Sequence, residues 1–110
     1  MADNVLKKQV VLTAQANEFI YAQPIPAVRK FLDLIHELEV SGQLFPPAAK
    51  KITDNLFEMR IKTDANQYRG FYCYAVGNFI YILSGFVKKT QKTPLQEIRK
   101  AQRIARSLGL

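Results

Sequence analysis

The feature that most constrains this chain is a change of hydrophobic period at Leu56. Before it, Val28, Phe31, Leu32, Ile35 and Leu38 recur at three- and four-residue spacing, the stripe of a helix that buries one face. After it the period becomes two. Leu56–Lys62, Gln67–Ala75 and Asn78–Val87, rich in Phe, Tyr, Ile and Val, read as three strands. The short connections Asp64-Ala65-Asn66 and Val76-Gly77-Asn78 make these strands an antiparallel meander, with helices packed against it.

The flanking segments extend this reading. Gln9-Val10-Val11-Leu12-Thr13 is expected to form a terminal strand, and Phe19-Ile20-Tyr21 a second short one. Pro24 and Pro26 open the first helix and Gly42 closes it. Pro46-Pro47 prevents its continuation, so Leu44 to Lys51 is expected as a short helix or turn. Thr93, Pro94 and Gln96 form a capping-box pattern that starts a final helix. In that helix Ile98, Ala101, Ile104, Ala105 and Leu108 share one face, and Arg99, Arg103 and Arg106 the other. The fold class is therefore α+β in two layers: a three-stranded meander plus one or two N-terminal strands, packed with N-terminal helices and a C-terminal helix. The 110 residues suffice for one domain, and residues 1–23 are an N-terminal segment to which no role is assigned.

Charge adds a direction. Residues 1–59 carry six basic and seven acidic side chains, a net of −1, whereas residues 60–110 carry ten basic and two acidic, a net of +8. So sharp a segregation fits a one-sided footprint for a polyanion or an acidic partner, against the alternative of a charge carried for solubility. No apolar run approaches the length that spans a bilayer, and Lys7-Lys8 is not followed by a signal-like apolar stretch, so a cytoplasmic location without membrane contact is expected. With one His and one Cys, neither a disulfide nor a metal site is expected, and Cys73 reads as a core filler. Five scattered glycines make no phosphate loop, so no cofactor is expected.

What remains for chemistry is Arg, Lys and Tyr on the sheet. Glu58, Arg60 and Lys62 share a face, Arg69 follows Tyr68 on the next strand, and Lys88-Lys89-Thr90-Gln91-Lys92 leaves the third. Arg60 and Arg69 converging on this exit would make a positive pocket; Arg60 paired with Glu58 alone is the other reading. Such groups suit RNA cleavage by the substrate's own 2′-hydroxyl, where arginines neutralise the phosphate and a lysine crowded by cations, its pKa lowered toward neutrality, is a candidate base or acid. Tyr68 would stack on a base. The same inventory describes an RNA binder without activity.

Leu56-Phe57-Glu58-Met59-Arg60-Ile61-Lys62, Tyr68-Arg69-Gly70-Phe71-Tyr72 and Phe86-Val87-Lys88-Lys89-Thr90-Gln91-Lys92-Thr93-Pro94 resemble the RelE/HigB toxin superfamily, and within it the phage-derived HigB-like branch. The resemblance implies the small RelE-like fold and the toxin of a type II toxin–antitoxin system. Such a toxin is a ribosome-dependent mRNA endonuclease, and its partners are ribosome, mRNA and a cognate antitoxin, expected as a small helix-turn-helix protein. It places Arg60 and Arg69 at the scissile phosphate and Lys88 and Lys89 at late basic or acid–base positions. Lys50, Lys51, Lys62 and Lys92 would contact RNA backbone, joined by Arg99 and Arg103 of the basic helix. The sequence departs from the pattern in lacking a His or Tyr after that helix, and Gly70 replaces a bulky residue, which suggests a bulge. A non-catalytic phage-derived inhibitor, binding RNA or protein through the same basic face, is the alternative.

Overall fold

A computed structural model describes residues 7–110, so the first six residues of the N-terminal segment lie outside the described residues. Along the chain lie β1 (Gln9–Leu12), α1 (Ala14–Tyr21), α2 (Ile25–Ser41), β2 (Ala49–Thr53), β3 (Leu56–Lys62), β4 (Gln67–Ala75), β5 (Phe79–Lys88) and α3 (Leu95–Ser107). The strands form one sheet in the order β1-β5-β4-β3-β2. The meander is its centre, β2 is added antiparallel to β3, and β1 runs parallel to β5 on the far edge.

Two local expectations are corrected. Phe19, Ile20 and Tyr21 are helical, because the Thr13 hydroxyl caps α1 by accepting from the Ala16 amide at 3.1 Å. Ala16 and Ile20, four residues apart, then bury the same face, and that packing outweighs the strand preference of three residues. The segment after Pro46-Pro47 is not a helix; from Ala49 it is β2, registered against β3 with Ala49 opposite Met59 and Lys50 opposite Glu58. The first long helix stops where expected, with Gly42 left-handed at φ 80° and its amide donating to the Leu38 carbonyl.

Alternation along the strands divides the core. Met59, Ile61, Tyr68, Tyr72, Ile80 and Ile82 face α1 and α2 in the expected α+β class, but α3 packs on the opposite face, so the layers are three rather than the two expected. Leu56, Phe71, Cys73, Leu83 and Phe86 face the other way, where Ala101 of α3 seals them. Gly70 is not a bulge: it pairs with Met59 and with Gly85, and the register shift falls one residue later, between Phe71 and Tyr72. Its reason is space, since a Cβ there would sit 3.1 Å from Met59 Cγ.

Gly85 is tighter. A Cβ at that position would lie 2.5 Å from the Phe19 ring and 3.0 Å from the Arg69 carbonyl oxygen. Gly85→Ala is expected to cost about 1–3 kcal/mol by overpacking, and Gly70→Ala less, because the flexible Met59 side chain can yield. Chemical denaturation of the two variants side by side measures the difference.

Candidate nucleic-acid site

The face that α3 covers at one end is polar at the other. Cross-strand pairing lays the charged residues there in rows: Lys50 opposite Glu58, Arg60 opposite Arg69, and Lys62 opposite Gln67, which is itself opposite Lys88. Residues two apart on a strand share a face, so the rows stand side by side on one surface. Two arginines directly opposite repel each other. Their counter-charge is Glu58, one pleat away and fully buried at 0% exposure.

The Glu58 carboxylate is met from three sides. Arg60 Nε donates to Oε1 at 3.3 Å, Arg69 Nε lies 3.7 Å from the same oxygen, and the Thr93 hydroxyl donates to Oε2 at 2.6 Å. Thr93 therefore does not cap α3. Pro94 occupies the N-cap position without a side-chain bond, and the hydroxyl expected to cap the helix is spent on the buried carboxylate.

The two arginines differ. Arg69 is 6% exposed and tied down, its Nη1 donating to the Tyr68 carbonyl at 3.0 Å and its Nη2 to Gln67 Oε1 at 3.1 Å. Desolvation lowers its pKa, opposed by Glu58 and reinforced by Arg60. Arg60, with a side chain 34% exposed, is held through Nε alone. Among the described residues its two terminal nitrogens donate to no protein acceptor. Lys88 faces the same cluster: desolvation and then Arg69 lower its pKa, Glu58 raises it, and Arg60 and Lys50 lower it further.

Beside this cluster lies an open depression of about 400 Å³ lined by Gln67, Lys88, Lys89, Thr90 and Gln91. A second, of about 380 Å³, shares Gln67, Lys88 and Lys89 with it and runs past Lys62. Lys92 is exposed on the same exit loop, where its carbonyl accepts from the Thr90 hydroxyl at 2.8 Å. Arg99 and Arg103 line a separate depression on α3 together with Lys100.

Two of the expected RNA-contacting residues are misplaced. Tyr68 is 1% exposed and packs edge-on against Phe31 in the helix-side core, so it has no free ring for a base. As the neighbour of Arg69 on one strand it must point the opposite way. Lys51 pairs with Phe57 and so lies on the helix side of the sheet, away from Arg60; Lys50 is the lysine of that pair on the site face. Glu58, Gln67 and Thr93 join the expected residues at the site, and the shared parity of Glu58 and Arg60 is the sequence signal for the first. Cys73 is buried, its thiol pushed up to about 11 by burial, and His36 is exposed on α2, on the other side of the sheet. No helix among the described residues is long and apolar enough to cross a membrane.

Comparison with known proteins agrees with this architecture. A family model described as phage-derived protein Gp49-like matches residues 18–106. Among solved structures, a chain of the toxin–antitoxin complex RelBE2 from Mycobacterium tuberculosis superimposes with a TM-score of 0.57 at 16% identity, covering 74% of this chain and 99% of that one. At that identity the likeness is one of fold. No curated protein matches. The residues that carried the sequence resemblance, 56–94, lie wholly inside the matched range, and the chain belongs to the phage-derived Gp49-like family, with a RelE-like fold.

Proposed function

We propose that this protein is the toxin of a type II toxin–antitoxin system and that it cleaves mRNA on the ribosome, with an antitoxin as its neutralising partner. One observation carries the reading: a half-buried arginine whose terminal nitrogens have no protein acceptor among the described residues stands beside a second arginine and Lys88, next to a lysine-lined depression.

The chemistry needs no cofactor. The substrate's 2′-oxygen bonds to phosphorus as the bond to the 5′-oxygen of the next nucleotide breaks. The 2′-hydroxyl loses its proton to solvent and the departing oxygen gains one from Lys88, leaving a 2′,3′-cyclic phosphate and a 5′-hydroxyl. Charge accumulates on the non-bridging oxygens, and the forked donors of Arg60 suit them, with Arg69 adding positive potential from behind. Lys88 serves as proton donor to the leaving oxygen, its lowered pKa bringing transfer closer to working pH. Lys50, Lys62, Lys89 and Lys92 hold the RNA backbone on either side, and Arg99 and Arg103 of α3 meet ribosomal RNA.

Arg60→Ala separates activity from folding, because the Thr93 hydroxyl still donates to Glu58 and the Arg69 guanidinium remains beside it as counter-charge. After brief induction, mapping of mRNA 5′ ends is expected to find new ends with the wild type and about a hundredfold fewer with the variant. Growth arrest by the wild type with mRNA intact would instead make the protein a non-catalytic inhibitor. The pH profile gives a second check. A lysine that acts while protonated loses activity as pH rises through its pKa, and for Lys88 that loss comes at lower pH than for an ordinary lysine. Lys88→Arg is expected to slow cleavage and remove this alkaline limb; an unchanged limb would exclude Lys88 as the donor.

A further inference from the structure

We propose that Glu58 is the positioning residue of this site: anchored by the Thr93 hydroxyl, its carboxylate holds Arg60 by Nε alone and so leaves the arginine's terminal nitrogens to a phosphate group. This inference rests on the reading of the basic face as an RNA-cleaving site, and it assigns a role to two side chains outside the set that meets the substrate.

The geometry argues for it in three steps. First, Arg60 and Arg69 are directly opposite on adjacent strands, a like-charge pairing that would drive the two guanidinium groups apart. A single buried carboxylate oxygen between them, Oε1 of Glu58, accepts from Arg60 Nε at 3.3 Å and lies 3.7 Å from Arg69 Nε, which has no hydrogen-bond partner, so it attracts both charges but is bonded to Arg60 alone. Second, Oε1 takes only the Nε edge of Arg60. A carboxylate pairing through the terminal nitrogens would occupy the donors that fit a phosphate; this one does not. Third, Glu58 cannot swing away to release the arginine, because its other oxygen is held at 2.6 Å by a threonine on the segment entering α3. A structural ion pair would balance its charges. Here Arg60, Arg69, Lys88 and Lys50 surround one carboxylate, and the surplus is positive. Arg69, with bonds to the Tyr68 carbonyl and Gln67, is the fixed wall of the site, and Arg60 its presenting group.

The test uses the full chain with Glu58→Gln, Thr93→Val and Glu58→Asp. The Nε–H signals of Arg60 and Arg69 are followed by nitrogen-15 NMR, with inorganic phosphate as the probe. In the wild type both signals are expected to be sharp and Arg60 to shift on phosphate addition. Glu58→Gln broadens the Arg60 signal and weakens its response to phosphate, Thr93→Val does so to a smaller degree, and Glu58→Asp, which keeps the charge, recovers part of both. Cleavage of mRNA by Glu58→Gln falls by about a hundredfold, the effect of a misplacement on the scale of 1 Å, and Glu58→Asp regains part of it. Because a glutamine buried at 0% exposure can unfold the chain, Thr93→Val, at a half-buried position, carries the same test independently. An Arg60 signal as sharp in Glu58→Gln and Thr93→Val as in the wild type would overturn the proposal, as would cleavage at the wild-type rate in a variant whose Arg60 is disordered. A wild type that orders Arg60 and binds phosphate but cuts no mRNA would remove the nuclease reading and leave Glu58 in the role assigned here.

Discussion

One buried carboxylate holds the charged half of the sheet together. Glu58 is out of water, and a lone carboxylate there would be strongly destabilising; two guanidinium groups and a hydroxyl make it tolerable. The arrangement is reciprocal. Without Glu58, Arg60 and Arg69 would face each other across neighbouring strands with nothing between them, and Arg69, 6% exposed, would be a buried cation with no counter-ion. The core on this side and the positive surface above it are thus one network, since the group that permits burial below also sets the cations above.

The same strands build two chemically opposite surfaces because their side chains alternate. Met59 and Ile61 go down among the helices while Glu58, Arg60 and Lys62 go up. On the upper face α3 covers only the end where Leu56, Phe71, Cys73 and Leu83 lie, its own apolar stripe closing over them through Ala101. The uncovered end keeps the charges. Thr93 sits at the boundary, so the start of the covering helix is bonded to the carboxylate of the open site.

Much of this was legible in the residues. The bounds of β3 and β4, the closure of α2 at Gly42 and the convergence of Arg60 with Arg69 follow from period, turn chemistry and parity. The misses have more than one cause. The Thr93 bond depends on a carboxylate 35 residues earlier, which nothing local announces, whereas β2 folds back on β3 across Asp54-Asn55 and α1 is set by the Thr13 cap, local signals masked by Pro46-Pro47 and by the strand preference of Phe19-Ile20-Tyr21. The faces of Tyr68 and Lys51 belong to a different class: each follows from the two-residue period once the facing of its strand neighbour is settled, against what the residue type alone suggests.

The outer edge of the sheet has a consequence for how this chain comes into being. β1, among the first residues described, pairs with β5, and the Thr13 hydroxyl donates to the carbonyl of Leu83, 70 residues later. The strand that receives the N-terminal edge is the last of the five to be made. A nascent chain therefore carries an unpaired strand through most of its synthesis, and the sheet closes late, by a long-range contact of the kind that slows folding. Arg69 lies next to β5 as well, through its pairing with Phe86, so the basic site is assembled only after nearly the whole polypeptide has emerged. An incomplete chain has neither its paired edge nor its assembled basic surface, so the topology makes both depend on the last strand of the sheet.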